Sequence, residues 1–221
     1  MKKLSFLFLL MIASFITNAD SNYKTVNLPK GVSIDVPINW QVISNNQRIT
    51  LDAYVETLYE PIDSDFPFAA NYYNDNGEVE ALLNFRYYPW IEVTQEDVFN
   101  ASSDEVQYLD SILNENILLA MKDVGKLLSW SGTKKEYING IMVLISEYRR
   151  YSNITKDVGR VRLVRVLNDT KSFTLTISYD DRRQNSFMLE GITNRIIESL
   201  SVSDLSLIHI SEPTRLLSIS Y

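Results

Sequence analysis

The stretch KKEYINGIMVLISEYRRY, residues 134–151, decides the fold of this chain. Within it, Asn139 and Gly140 stand between two runs that are rich in apolar, β-branched and aromatic residues. An Asn-Gly pair accepts the positive φ angles that a two-residue hairpin turn needs at both of its positions. The stretch therefore predicts two antiparallel strands joined by a tight turn.

A second hairpin follows in GRVRLVRVLNDTKSFTLTISY, residues 159–179, and is expected to turn at residues 168–171. Apolar and polar residues alternate in its last strand, so one sheet face should carry Phe173, Leu175, Ile177 and Tyr179. Residues 141–150 and 160–167 are expected to pair as antiparallel strands. The second half of the chain thus predicts one continuous antiparallel sheet.

The first half of the chain predicts further strands and the main helix. Residues 32–36 alternate between apolar and polar side chains, which indicates a half-buried strand. Residues 68–90 indicate two strands joined through the turn-forming stretch 74–77. A helix capped by Ser103 and ended by Gly125 is predicted from an apolar stripe at steps of three or four, formed by Val106, Leu109, Leu113, Ile117, Ala120 and Val124.

Two shorter helical signals complete the pattern. Thr94, with Asp97 three residues later, could cap a first helical turn ahead of the main helix. Near the end of the chain, one helical face is expected to carry Met188, Ile192, Ile196 and Leu200. Runs of antiparallel strands with segregated helices indicate an α+β fold, in which helices flank an antiparallel β-sheet. We expect a single domain from Asp20 to Asp204.

The order of these elements resembles that of the PsbP-like fold family. The resemblance runs from Val26 to Val202 and rests on the early strand ending in VPINW, with Pro37 and Trp40, the main helix, the YING hairpin, two more long strands and the closing helix ending in IIESLSV. It implies an α/β/α sandwich. Known members are mostly binding and accessory proteins, among them a photosystem II extrinsic subunit, a Ran-binding import factor and exported bacterial proteins.

The chain begins like an exported protein. Two lysines precede an apolar run over residues 4–16, and small and polar residues follow up to Ala19. This pattern indicates a signal peptide over residues 1–19, cleaved after Ala19. The alternative, an uncleaved anchor, is disfavoured because the run is shorter than the roughly 20 residues that span a bilayer. The lysine-led leader predicts a periplasmic or secreted bacterial protein with no membrane span after cleavage.

The last 17 residues, LSLIHISEPTRLLSISY from Leu205 to Tyr221, resemble a translated sequencing adapter. Constant adapter codons account for LSLIHISEPTR. A sample index accounts for the next three residues, and further constant bases account for the final three. Such a foreign tail is excluded from the domain. Because it contains His209, the only histidine, that residue is assigned to no site. We expect deletion of the tail to leave stability unchanged.

The composition excludes several classes of protein. The chain has 21 basic and 28 acidic residues and a net charge of −7; the leader and tail hold three of those bases and one acid, so the rest carries −9. Nucleic acid is not an expected partner, because its binding depends on basic surfaces. Without cysteine, and without histidine outside the tail, a Cys-His dyad, a Ser-His-Asp triad and a typical zinc site are excluded. We expect no cofactor.

Carboxylates leave one enzymatic alternative open. A pair of acidic side chains could support a glycosidase-like hydrolase that needs neither metal nor histidine. Asp63 and Asp65, near Glu56 and Glu60, could hold a hard cation, but an acidic run more often forms a solvated face. The favoured prediction is an exported, non-enzymatic binding or accessory protein whose partner is unknown.

Aromatic residues offer one candidate ligand site. The segment RYYPW, residues 86–90, contains Tyr87, Tyr88 and Trp90, which could stack on a sugar or seat a peptide. At strand spacing, neighbouring residues point to opposite faces, so part of this segment is expected to lie in the core instead.

Four arginines form the candidate partner surface: Arg149, Arg150, Arg160 and Arg162. The expected strand register places Arg149 opposite Arg160, and Glu147 opposite Arg162. One interpretation is a surface charge ladder centred on Glu147. The other is a face with excess positive charge that docks an acidic partner, for example the acidic first half of another copy. Like charges directly opposite each other are unfavourable, so this second interpretation needs an acid from outside the strand pair.

Overall fold

The structure is a computed structural model and describes residues 22–43, 68–88, 92–169, 171–182 and 184–203. The strands in these ranges are β1 (Tyr23–Leu28), β2 (Val32–Pro37), β3 (Gln41–Val42), β4 (Phe68–Tyr73), β5 (Val79–Tyr87), β6 (Gly125–Ile138), β7 (Ile141–Ser152), β8 (Val158–Val166), β9 (Phe173–Asp180) and β10 (Ser201–Val202). The helices are α1 (Gln95–Asn100), α2 (Ser103–Met121) and α3 (Ser186–Glu198).

Two antiparallel sheets organise the described residues. The larger has seven strands in the order β3-β4-β5-β9-β8-β7-β6, and the smaller has three in the order β1-β2-β10. Every strand pair is antiparallel. The predicted α+β class, with helices flanking an antiparallel sheet, is therefore confirmed.

The Asn-Gly hairpin forms as predicted, but its first strand is much longer than the sequence indicated. Asn139 and Gly140 have φ angles of 44° and 89°, and they join β6 to β7. Strand β6 already begins at Gly125, which was expected to end the main helix. A Cβ on Gly125 would lie 2.0 Å from the carbonyl oxygen of Tyr151, so glycine is required by this close strand approach. Two register shifts in β6 disturb the alternation from which a strand is predicted.

Each face of the seven-stranded sheet carries its own core. The larger core lies on what we call the main-core face, where α3 and the small sheet pack; its fully buried residues include Phe85, Phe173, Leu175 and Ile177. The opposite face, here called the α2 face, carries a smaller core formed by Ile117, Met121, Tyr148, Val161 and Leu163. The alternation predicted for β9 is confirmed, because all four of its predicted apolar residues lie in the larger core.

Capping residues explain where helices α1 and α2 begin. Thr94 caps α1 and forms the predicted reciprocal pair with Asp97. Helix α2 is capped by Ser102, one residue before the predicted Ser103, and Glu105 completes its capping box. The predicted apolar stripe of α2 does face the sheet, and the helix ends at Met121. The capping serine was misplaced by one residue because both neighbouring serines have a suitable side chain.

The predicted apolar face of α3 is confirmed except at its first residue. Ile196 and Leu200 are fully buried in the larger core, and Ile192 packs against that core. Met188 is 45% exposed, whereas its neighbour Leu189 is 1% exposed. Thr193 and Ile197 are also buried, so the face that α3 packs against β2 and β9 is wider than the predicted stripe.

Several predictions fall outside the described residues. The signal peptide of residues 1–19 and the tail from Leu205 to Tyr221 are among them, as are the acidic pair Asp63 and Asp65 and the aromatic residue Trp90. For these the sequence expectations stand as predictions.

Candidate partner-binding surface

The strand register around the four candidate arginines is the predicted one. In the β7–β8 pair, Arg149 lies opposite Arg160 and Glu147 lies opposite Arg162. The long antiparallel hairpin leaves little choice of register, because a slip by one residue would turn the apolar residues of both strands away from the core.

The four arginines do not share one surface. Arg149, Arg160 and Arg162 lie on the main-core face, because each is an even number of strand positions away from a residue of the larger core. They lie beyond the end of the apolar core. Arg150 follows Arg149 directly in β7 and therefore lies on the α2 face. The candidate surface thus contains three of the predicted arginines.

Glu147 is the centre of the charge ladder that one interpretation predicted. Its carboxylate lies 2.8 Å from Nε of Arg162 and 3.4 Å from Nη1 of Arg160. The side chains of both arginines are mostly buried. The ladder therefore holds two neighbouring guanidinium groups in fixed positions.

Asp181 relieves the like-charge pair from within the chain. Its two carboxylate oxygens lie 2.5 Å from Nε of Arg149 and 3.3 Å from Nε of Arg160. Glu190 of α3 adds ion pairs of 3.4 Å and 3.3 Å to Arg160 and Arg162. Three carboxylates thus face three arginines within the described residues. We call these six residues the arginine network.

Tyr179 lies on the same face as the network and is 2% exposed. Its hydroxyl oxygen is buried and makes no hydrogen bond within the described chain. Burial raises the pKa of Tyr179 to about 12; the nearby charges of Arg160 and Arg162 act in the opposite direction. For Arg160, burial lowers the pKa, but Tyr179 and the surrounding carboxylates outweigh burial and the net shift is upward. The arginine therefore stays charged, and the tyrosine stays neutral at physiological pH.

Exposed apolar side chains accompany the network. Arg149 is its most open arginine, with 43% of its side chain exposed. Phe187, one helical turn before Glu190 on α3, is 85% exposed, and its neighbour Met188 is half exposed. Leu128, also half exposed, sits at the bulge in β6 beside the residue that pairs with Arg149. The surface therefore combines ordered guanidinium groups with exposed apolar area.

The predicted aromatic site is largely structural where the structure describes it. Tyr87 is buried, packs on Phe85 and Phe173, and donates its hydroxyl hydrogen to the carbonyl oxygen of Pro29. Lys30 covers its ring at 4.6 Å. Tyr88 is half-buried at the end of β5. Tyr87 is thus a core residue, as the alternative interpretation of this segment allowed.

The network offers no spare carboxylate for acid-base chemistry, because Glu147, Asp181 and Glu190 are all ion-paired with arginines. Across the described ranges, no three His, Cys, Asp or Glu side chains are grouped so that they could hold a metal ion. None of the helices described has the length and apolar character needed to cross a membrane.

Two members of the network were missed by sequence reasoning. Asp181 follows β9 and Glu190 lies on α3, both far in sequence from the β7–β8 hairpin. A signal existed for Asp181, because antiparallel pairing of β9 with β8 brings the end of β9 beside Arg160. The position of Glu190 depends on how α3 packs, which local sequence does not determine.

Comparisons with solved structures find matches at very low sequence identity. LpqN of Mycobacterium tuberculosis, described as involved in cell envelope biogenesis, is 14% identical over 86% of this chain and 95% of its own, with a TM-score of 0.43. The Ran-binding protein Mog1p of Saccharomyces cerevisiae is 11% identical over 84% of this chain and 98% of its own, with a TM-score of 0.45. A protein of Bacteroides thetaiotaomicron is 10% identical over 82% of this chain and 48% of its own, with a TM-score of 0.38.

Family-level comparisons give no match. No protein-family model and no curated protein matches the chain. Membership of the PsbP-like family therefore remains a prediction, and the structural similarities assign neither a family nor a function at these TM-scores.

Proposed function

We propose that this protein is an exported, non-enzymatic binding or accessory module that docks a protein partner on the arginine network. The observation that carries the proposal is the nearly complete exposure of Phe187 beside a network of ordered arginines. Arginine and aromatic residues are enriched at the centres of protein interfaces. A phenylalanine that is 85% exposed in the described part of the chain is available for such a centre.

The ion pairs prepare the surface for binding. Arginines held by Glu147, Asp181 and Glu190 have already lost side-chain freedom, so a partner would order fewer groups on docking. Arg149 uses Nε for Asp181, and a guanidinium has five N–H donors in all. Its outward donors fit an acidic group on the partner. The partner surface is thus expected to place apolar area over Phe187 and a carboxylate near Arg149.

The test is affinity capture from the periplasm or medium of the producing cells, with the mature chain and its Phe187→Asp variant as baits. Tyr108→Asp is the matched control, because Tyr108 is also highly exposed but lies on α2. We expect a partner that is retained by the chain and by the control variant and is lost from Phe187→Asp. Direct binding to the purified partner should then weaken as salt rises, because exposed charges are screened.

Two results would contradict this function. Equal recovery of every captured protein by all three baits would exclude the surface around Phe187. Undiminished binding after Arg149→Glu, with no dependence on salt, would exclude the role of the arginine network.

The exported location belongs to the same proposal and rests on residues 1–19. Intact mass of the protein recovered from the periplasm or medium should show cleavage after Ala19. A product that retains the leader would instead indicate a membrane-anchored protein.

A further inference from the structure

Strand β6 is an open edge of the seven-stranded sheet. It pairs with β7 on one side, and no strand of the described chain pairs with it on the other. Its two register shifts lie between residues 127 and 132, and its pairing with β7 is regular from Gly132 to the turn. A regular edge can add a strand from another chain, whereas a bulge interrupts such pairing. The stretch that can accept a second strand is thus residues 133–138.

The turn determines which backbone groups of this stretch point outwards. Ile138 and Ile141 flank the two-residue turn, so they form a hydrogen-bonded pair. The direction of the N–H and C=O groups alternates along a strand, so three residues direct theirs away from β7: Thr133, Lys135 and Tyr137. These groups bond to no other backbone group of the described chain. They are therefore available to a second strand.

The side chains of the same stretch carry a charge pattern that is complementary to itself. Lys134 and Glu136 lie on the main-core face, because they pair with Ile145 and Val143 of the larger core. Their side chains are 66% and 36% exposed and form an ion pair with each other. When two copies of this strand pair antiparallel about Lys135, each Lys134 lies directly opposite Glu136 of the other copy. Opposite charges in such positions stabilise an antiparallel pair.

Backbone geometry and charge select the same register. Pairing about Lys135 joins all the outward groups, with Thr133 of each copy opposite Tyr137 of the other. Moving the centre by one residue would place a residue of the bulge or of the turn in the ladder. It would also set Lys134 opposite Lys134 of the other copy, or Glu136 opposite Glu136, and like charges in these positions are unfavourable. One register is thus favoured over its neighbours.

The α2 face of the edge is compatible with this register. Lys135 would lie opposite Lys135 of the other copy, but its ammonium group already donates hydrogen bonds to carbonyl oxygens of its own chain. That of Phe99 lies 3.0 Å away, and that of Ala101 is the second acceptor. Tyr137 is 59% exposed and would pack on Thr133 of the other copy. Pairs of an aromatic and a β-branched residue stabilise antiparallel strands.

We propose that two copies of this chain associate through the edge of β6, with residues 133–137 of each paired antiparallel about a two-fold axis at Lys135. The same surface of both copies forms the contact, so the assembly closes at two copies. The two seven-stranded sheets then continue into each other. Because only five residues of each copy pair, the contact area is small, and the dimer is expected to be weak and to depend on protein concentration.

The first experiment is sedimentation velocity of the mature chain over a range of concentrations. We expect a monomer that forms dimers as the concentration rises. Lys134→Glu and Glu136→Lys should each weaken dimer formation by about tenfold, because each places like charges opposite each other twice. An equimolar mixture of these two variants should dimerise more strongly than either alone, since every opposing pair in the mixed dimer has opposite charges. Lys126→Glu is the matched control, because Lys126 is an exposed lysine of β6 on the other side of both bulges.

Disulfide cross-linking tests the register directly, because the chain contains no cysteine. Residue 134 of one copy and residue 136 of the other would form a non-hydrogen-bonded pair, whose Cα atoms lie about 4.5 Å apart, within the reach of a disulfide. With oxidised glutathione, an equimolar mixture of Lys134→Cys and Glu136→Cys should therefore give a linked dimer. Each variant alone should give much less, because identical positions lie diagonally at ~7–8 Å. Lys126→Cys mixed with Glu136→Cys is the control.

Three results would overturn this association. The first is a chain that stays monomeric at every concentration, and the second is dimerisation of both charge-reversal variants as strong as that of the parent chain. The third is cross-linking of the control mixture as efficient as that of the 134 and 136 variants, which would show unspecific contact. Because none of these variants changes Phe187 or the arginine network, loss of self-association and loss of partner capture are independent outcomes.

Discussion

Strand β9 carries two buried hydroxyl groups that make no hydrogen bond to any described residue, one on each face of the sheet. Tyr179 lies on the main-core face beside three arginines that are balanced by three carboxylates. Thr174 lies on the α2 face, directly opposite Arg86 on β5 and Arg165 on β8. Arginines thus lie beside a buried hydroxyl on both faces of the same strand, but at different spacing across the sheet.

The comparison shows that spacing across the sheet affects whether one carboxylate can pair with two arginines. Arg149 and Arg160 are on adjacent strands, and Asp181 contacts both of them. Arg86 and Arg165 are separated by β9, which places their backbones ~10 Å apart.

The largest expected effect tests whether the two faces contribute unequally to stability. Phe85 is fully buried in the larger core and stacks on Phe173 at 4.8 Å. We expect Phe85→Ala to lower the free energy of unfolding by about 3 to 5 kcal/mol, as for a large cavity. The size-matched comparison is Val164→Ala in the larger core against Val161→Ala in the smaller core, both on β8; the first should cost more because it lies deeper among buried residues. Urea denaturation of the parent chain and the three variants measures these values, and equal losses for the two valines would contradict an unequal division.

A smaller effect on the free energy of unfolding is expected from Asp181, which pairs with two arginines of the arginine network. Asp181 is 10% exposed and contacts both Arg149 and Arg160. Asp181→Asn should lower the free energy of unfolding by about 1 to 3 kcal/mol, because two adjacent arginines lose their shared carboxylate. Glu190→Gln is the matched control; its more exposed carboxylate should cost about 1 kcal/mol or less.

The dependence on salt shows whether charge causes the loss of stability in Asp181→Asn. The stability difference between Asp181→Asn and the parent chain should shrink as sodium chloride is raised, because salt screens partly exposed charges. A difference that does not change with salt would show that packing around Asp181, rather than charge, accounts for the loss.

The smallest effect at neutral pH is expected at Tyr179. Its hydroxyl makes no hydrogen bond to the residues that the structure describes, so Tyr179→Phe should change the free energy of unfolding at pH 7 by less than about 1 kcal/mol. The difference should appear in alkali. Because burial raises the pKa from 10.0 to about 12, the folded chain keeps a proton that the unfolded chain loses between these pH values.

The sign of this effect follows from the proton balance. The stability that the neutral tyrosine contributes is fully present below pH 10 and is lost as the pH rises through about 12. Tyr179→Phe should therefore unfold less readily than the parent chain in this alkaline range. The measurement is urea denaturation at several pH values, followed by circular dichroism. Identical pH profiles for the two proteins would show that Tyr179 titrates normally.

Much of the larger sheet could be predicted from local sequence. The Asn139-Gly140 turn and the alternation in β9 both depend on residues close together in the chain, and both are confirmed. The start of β6 could not be predicted, because its two bulges disturb the period of two that marks a strand. The predicted face of α3 was wrong only at Met188, where Leu189 is buried instead, because both residues are apolar and only packing selects between them.

The sequence by itself determined the α+β class, the hairpins and the register that places Arg149 opposite Arg160. These properties follow from turn residues and from periodicity, which act within a few residues of the chain. Only the tertiary structure decided that Asp181 and Glu190 neutralise those arginines, and that Arg86 and Arg165 flank Thr174. Such groupings join residues from strands and helices that are far apart in sequence. They depend on which elements become neighbours when the apolar faces are buried together, and local sequence carries no record of that choice.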